Sequence, residues 1–102
     1  TDRLYLIDWE YAGMNDGMWD VAAVSIEAGY GRTDDERFLA AYLDHTPSDA
    51  ERKHLLASKI YVDYLWTLWA KTRVPYDGQS MEEWAAMRYA RLKANIAELS
   101  AL

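Results

Sequence analysis

Two carboxylates alternate with aromatic rings in the run Leu6-Ile7-Asp8-Trp9-Glu10-Tyr11. The preceding Arg3-Leu4-Tyr5-Leu6-Ile7 reads as a short, mostly apolar strand, so Asp8 and Glu10 come straight off its end. The loop they enter also carries Asn15 and Asp16. Hard oxygen donors at the mouth of a loop are the ligands that Mg²⁺ prefers. Acidic residues at strand ends also serve as merely solvated or capping groups, and the spacing leaves both readings open. Asp20, between Trp19 and apolar Val21, reads as a buried anchor for loop N–H groups. Glu27 follows Asp20 by about two helical turns, on nearly the same face. Ile26 and Ala28 flank it, and Glu27 could hold a cation, although pattern alone favours a solvated carboxylate.

The aromatic content is uneven: five Trp and eight Tyr against one Phe. Trp and Tyr join a large apolar body to a polar handle and suit pockets that are half apolar. Trp66 and Trp69 stand at i, i+3 and so share one side of a helix. They read either as a core stripe or, with Tyr30, Tyr61, Tyr64 and Trp84, as rings around a quaternary ammonium. Such a cation is held by aromatic faces, Trp best of all, and needs no hydrogen-bond acceptor. His45 and His54 have no partner at a metal-ligand or catalytic-triad spacing and receive no role.

The elements that must position these residues are mostly helical. Gly13, Asn15 and Gly17 mark a loop after Tyr11. Asp16 is the expected N-cap of a first helix that Gly29 and Gly31 stop. Three capping boxes then predict three further helices: Thr33-Asp34-Asp35-Glu36, Ser48-Asp49-Ala50-Glu51 and Ser80-Met81-Glu82-Glu83. The first of these carries Phe38, Leu39, Tyr42 and Leu43 on one face. The second spans roughly 49–73 until Pro75, Asp77 and Gly78 break it, with Leu55, Leu56, Ile60, Leu65, Leu68 and Trp69 as its apolar face. The third places Trp84, Met87, Tyr89, Leu92, Ile96 and Leu99 along the C-terminal helix. The expected fold is mainly α: a short N-terminal strand and metal-site loop, then about four helices.

Composition narrows the function classes. A chain of 102 residues makes one domain at most, and its net charge of −6 opposes a phosphate-binding nucleic-acid surface. The absence of Cys excludes disulfides and thiolate metal sites. No apolar run reaches the roughly 18–20 residues of a membrane span, and the N-terminus lacks a signal-peptide layout. A cytoplasmic chain is the expectation.

The segment from Leu6 to Ala22, with Asp8-Trp9-Glu10-Tyr11, a short loop containing Asn15, and then Trp19-Asp20-Val21-Ala22, resembles the metal-binding segment of the choline/ethanolamine kinases. That family lies within the larger aminoglycoside phosphotransferase group of protein-kinase-like fold. The resemblance implies that Asp8 holds Mg²⁺ on ATP, with Glu10 near the same metal and Asn15 and Asp20 supporting the loop. It also implies that Glu27 contacts the choline ammonium and that Trp66 and Trp69 line the pocket. Trp84 closes that pocket, and Tyr30 stands beside it. This aromatic set favours choline over aminoglycoside acceptors. The similarity runs from Leu6 to about Ile96.

The resemblance covers only the C-terminal lobe of such a kinase, across residues 1–102. Neither a glycine-rich nucleotide loop nor a His-x-Asp-x-x-x-x-Asn catalytic loop occurs in the sequence. No catalytic residue is therefore assigned. The expected function is the substrate- and Mg²⁺-binding part of a kinase that phosphorylates choline or a similar small amine with ATP, inactive without its N-terminal kinase lobe. An unpaired apolar strand also predicts self-association or a rearranged N-terminus. The rival readings are a non-catalytic helical interaction module and a fragment of a small-amine or aminoglycoside phosphotransferase.

Overall fold

The computed structural model describes residues 3–5 and 16–102. Four helices follow in order: α1 (Gly17–Ala28), α2 (Arg32–Leu43), α3 (Asp49–Asp77) and α4 (Gln79–Ser100). The mainly helical reading holds, but the N-terminal strand is not seen. Residues 3–5 have no regular secondary structure, and Leu4 and Tyr5 are exposed. A strand exists only through a hydrogen-bonded neighbour, and no other strand occurs among the described residues. The expected remainder of it, Leu6 and Ile7, lies outside them.

Local signals set most helix ends. Asp16 accepts from the Met18 N–H at 3.0 Å and caps α1. Gly29 ends α1 in the left-handed region, φ 70°, which an L side chain rarely adopts. Ser48 and Glu51 form a complete capping box: the Glu51 N–H donates to Ser48 Oγ at 3.1 Å, and the Ser48 N–H to Glu51 Oε1 at 2.9 Å.

The other two expected boxes are displaced. Helix α2 is capped by Gly31, so Thr33 lies in its first turn, and Glu36 is drawn away to Arg52. Helix α4 starts at Gln79 because a single residue, Gly78 at φ 78°, joins it to α3. Pro75 does not break α3, which continues to Asp77. It removes one helical N–H close to the helix end, where the freed Lys71 carbonyl is on an exposed turn that water reaches.

Met18, Val21, Ala22, Ser25 and Ile26 bury one face of α1 at i, i+3, i+4, i+7 and i+8 spacing. With Leu39 of α2 and Leu55 and Val62 of α3 they form the core, flanked by Trp19, Phe38, Leu43 and Trp66. Helices α3 and α4 run antiparallel: Lys71 meets Glu82, Trp66 meets Trp84, and Asp63 meets Arg91. Ala70 and Ala85 are fully buried in these helices, and such small side chains let two backbones approach closely.

The apolar faces differ from the expected ones. Leu65, Leu68, Met87, Tyr89 and Ile96 are exposed, whereas Ser58, Lys59, Asp63 and Arg88 are buried. Buried charge must be paired, and the pairs tie the helices together. Lys59 Nζ lies 2.7 Å from Asp35 Oδ2, whose other oxygen accepts from Ser25 Oγ, joining α1, α2 and α3. Arg52 of α3 grips Glu36 of α2 through Nε and Nη2, the latter at 2.7 Å. Asp63, with no exposed surface, receives both Arg91 Nε and Nη2 at 2.7 Å.

Asp63→Ala should cost about 3–5 kcal/mol, because it removes the carboxylate that receives both Arg91 bonds and that Arg88 approaches in the interior. Ser48→Ala should cost only about 1 kcal/mol, the loss of one cap. Urea unfolding measures both, and equal losses would contradict the assignment of Asp63 as the buried counter-charge.

Acid should destabilise the fold. Asp16 is held below its ordinary 3.8 by the Met18 N–H and then by His54. Glu36 is held below 4.5 by Arg52, and Glu51 by the Ser48 N–H and then by His45. A depressed folded pKa contributes stability above the unfolded value and loses it as pH falls through the folded one. The melting temperature should therefore drop between about pH 5 and about pH 3. A constant or rising melting temperature over that interval would contradict these contacts.

Candidate functional site

The α3–α4 pair brings together the three tryptophans that sequence spacing singled out. Trp66 and Trp69 occupy adjacent turns of α3, and Trp84 approaches both from the first half of α4. The centroid separations are 5.6 Å for Trp66–Trp69, 6.0 Å for Trp69–Trp84 and 6.4 Å for Trp66–Trp84. Interplanar angles of 75–88° make every contact edge-to-face. In that arrangement the positive edge of one ring meets the negative face of the next. Trp66 and Trp84 are half-buried and Trp69 is 41% exposed, so the cluster keeps aromatic surface towards solvent. Trp66 also packs against the core, which fixes the cluster to α1 and α3.

Glu27, near the end of α1, reaches the same region through Arg88. The Arg88 guanidinium carbon lies 4.3 Å from the Trp84 ring centroid. Its Nη2 donates to Glu27 Oε2 at 3.4 Å, and Nη1 stands 3.2 Å from Glu27 Oε1. Carboxylate, guanidinium and indole thus stack into one unit whose members come from α1 and α4. Glu27 remains exposed at its outer side. This is chemistry suited to a cation: negative aromatic faces with one accessible carboxylate.

Other expected members sit elsewhere. Tyr30 pairs edge-to-face with Phe38 at 5.8 Å and lines a groove of about 860 Å³ beside α2, α3 and α4, together with Arg52, Lys59, Asn95 and Glu98. None of the three tryptophans nor Glu27 lines that groove. Its charged walls are largely self-paired: Arg32 with Glu98, Arg52 with Glu36 and Asp49, Lys59 with Asp35. The structure therefore joins Trp66, Trp69, Trp84 and Glu27 and leaves Tyr30 apart.

Asp20 is exposed in the first turn of α1 rather than buried, a placement that favours a carboxylate through the helix dipole. Asp8, Glu10 and Asn15 lie outside the described residues, as does the loop that Asp20 was expected to anchor. Among the described residues no group of three or more His, Asp or Glu side chains could hold a metal ion. The metal reading rests on the residue types of Asp8 and Glu10.

Sequence reasoning missed Arg88, Arg91 and Asp63. A signal existed: Ala85, Arg88 and Leu92 share one helix face at i, i+3, i+7, and Val62 and Asp63 lie in the buried stripe of α3. Opposite charges placed on facing apolar stripes imply a buried pair. His54, given no role, contacts the α1 cap at 2.6 Å from Asp16 Oδ2.

No family model matches the chain. A crystal structure of a choline/ethanolamine kinase family protein from Mesorhizobium loti superposes on 93% of it, with a TM-score of 0.83 and 35% sequence identity, and the match takes in 33% of that chain. Protein LicA of Haemophilus influenzae is 30% identical over 93 residues, covering 85% of this chain and 34% of LicA. A LicA homolog of Metamycoplasma hominis is 36% identical over 79 residues, covering 76% of this chain and 30% of the homolog. The chain spans about one third of the length of the relatives it matches. Shared sequence and shared helical fold over that third make this chain similar to the corresponding part of choline/ethanolamine kinase family proteins.

Proposed function

We propose that the chain is the amine-binding part of a phosphotransferase that moves the γ-phosphoryl group of ATP to the hydroxyl of choline or a related amino alcohol. The observation that carries this reading is the union of three edge-to-face tryptophans with Glu27 at one end of the α3–α4 pair. A trimethylammonium group offers no N–H donor, so aromatic faces and a diffuse negative field hold it better than hydrogen-bond acceptors do. Primary amines have the opposite preference, and the site is richer in rings than in carboxylates.

In this reading Trp66, Trp69 and Trp84 bind the cationic head, Glu27 balances its charge, and the packed rings exclude water from one side of it. Asp8, with Glu10 beside it, would hold Mg²⁺, which neutralises charge on the transferred phosphoryl group. The residues that clamp the nucleotide and accept the hydroxyl proton are assigned to a further kinase lobe, because neither corresponding loop occurs in this sequence. The isolated chain is accordingly read as binding without turnover.

A second reading rests on a separate observation. Tyr61, Tyr64, Leu65 and Leu68 form an exposed stripe along α3 at i, i+3, i+4, i+7 spacing. Such a stripe suits a helical interaction module, in which the tryptophans are packing alone.

Trp fluorescence separates the two. Choline should give a saturable change that the isosteric neutral alcohol 3,3-dimethylbutan-1-ol does not reproduce, and equal responses would favour the interaction module. Trp69→Ala, at the most exposed ring of the three, should weaken choline binding by roughly twofold to thirtyfold, the range of one cation–π contact. The purified chain should show no choline phosphorylation with ATP and Mg²⁺, since positioning of both reactants can account for roughly 7–11 kcal/mol of the barrier. Saturable turnover free of contaminating kinase would overturn the assignment of catalysis to another lobe.

A further inference from the structure

Arg88 is the most unusual side chain in the molecule. Its side chain is only 6% exposed, yet Nε and Nη1 have no hydrogen-bond partner among the described residues. Arg91, one turn along α4, shows what a satisfied guanidinium looks like: two bonds of 2.7 Å to both oxygens of Asp63. Arg88 Nη1 stands 3.8 Å from Asp63 Oδ1, too far for a hydrogen bond. Its contacts are the Trp84 face at 4.3 Å and the Glu27 carboxylate, reached by a long hydrogen bond of 3.4 Å from Nη2 and an ion pair of 3.2 Å from Nη1.

Those contacts are the ones an exogenous cation would seek in the same place. We propose that Arg88 is a specificity-determining residue: it occupies the cation seat formed by Trp84 and Glu27, and an incoming cation takes the Trp84 face by displacing its guanidinium, which keeps its hold on Glu27. The proposal rests on the amine-binding reading above and adds a residue to it.

Two features make replacement feasible. Asp63 keeps its bidentate Arg91 when Arg88 moves away, so no buried carboxylate is left unpaired. Glu27 is itself solvent-accessible and can follow the guanidinium as it leaves the ring. Arg88 meanwhile gives up a poorly satisfied position, because unmade hydrogen bonds in the interior weaken its hold.

The exchange is also selective. A guanidinium is weakly hydrated and binds an aromatic face well, so it is a demanding competitor. A quaternary ammonium is likewise drawn to aromatic faces and meets Arg88 on equal terms. A primary ammonium is strongly hydrated and needs the Glu27 oxygens, which Arg88 already engages. The built-in cation thus discriminates against primary amines by holding the oxygens they need.

Isothermal titration of the 102-residue chain with tetramethylammonium chloride and with methylammonium chloride tests this, in the wild type and in Arg88→Ala and Arg88→Lys. Arg88→Ala should bind tetramethylammonium about tenfold more tightly, the order expected when one cation–π contact no longer has to be displaced. Methylammonium should gain more, because the Glu27 oxygens are freed as well, so that the preference between the two salts narrows. Arg88→Lys, whose more hydrated cation sits less firmly on Trp84, should fall between the wild type and Arg88→Ala. Far-ultraviolet circular dichroism establishes that each variant keeps its helices. If Arg88→Ala fails to fold, a several-fold tightening in Arg88→Lys supports the proposal, and unchanged or weaker binding there overturns it. A folded Arg88→Ala that binds tetramethylammonium no better than the wild type overturns the role of Arg88 and leaves the amine site standing. Absence of binding by the wild type and every variant overturns both.

Discussion

A carboxylate with no exposed surface, Asp63, sits in the seam between the two longest helices, and much of the α3–α4 arrangement follows from the need to neutralise it. An unpaired charge there would cost several kcal/mol, so α4 must place a cation opposite α3 at that height. Arg91 does so with two short bonds, and the planar fork of a guanidinium fixes orientation as well as distance. The pairing sets the register of the hairpin, and the register sets where Trp84 meets Trp66 and Trp69. Structural pairing and candidate site are therefore one system: Arg88, one turn from Arg91, extends the same charge network outwards to Glu27 and to the indole of Trp84.

Tryptophan suits this position for physical reasons. Three indoles packed edge-to-face hold one another rigid without filling the space on their outward faces, and the anchor of Trp66 in the core transmits that rigidity from α1. A preorganised aromatic surface loses little conformational entropy when a cation lands on it. The large groove beside α2 differs in kind. Its Arg32, Arg52 and Lys59 are held by wall carboxylates across short salt bridges, and Arg91 is held by Asp63. Volume and chemistry point to different places in this molecule, and the aromatic cluster carries the functional reading.

The likeness to choline/ethanolamine kinase family proteins extends over about one third of the relatives' length. That fraction accords with the chemistry in the sequence, which contains candidate metal and amine ligands but neither of the loops that cradle a nucleotide or position a proton acceptor. The exposed apolar stripe of α3 and the exposed Leu4 and Tyr5 leave considerable apolar surface uncovered for a chain of this size.

What sequence alone determined were the features whose physics is local. The Ser48–Glu51 box, the Asp16 cap and the Gly29 stop each involve partners within a few residues, and each lies where spacing put it. The i, i+3 pairing of Trp66 with Trp69 is equally local. Tertiary structure decided the rest. The capping glutamate of the expected Thr33–Glu36 box went to Arg52 sixteen residues away, a competitor that no local pattern reveals. Pro75 stayed helical because it falls near the helix end, where the bond it removes matters least. Leu65 and Leu68 turned outwards while Asp63 turned inwards, because burial follows from which face of α3 meets α4, and Arg91, twenty-eight positions on, makes the inward charge tolerable. Tyr30, expected at the site, lies apart from it, and Arg88, which no spacing singled out, stands there for the same reason. A side chain's local spacing fixes its direction from its own helix, but only the packing of helices fixes what stands in that direction.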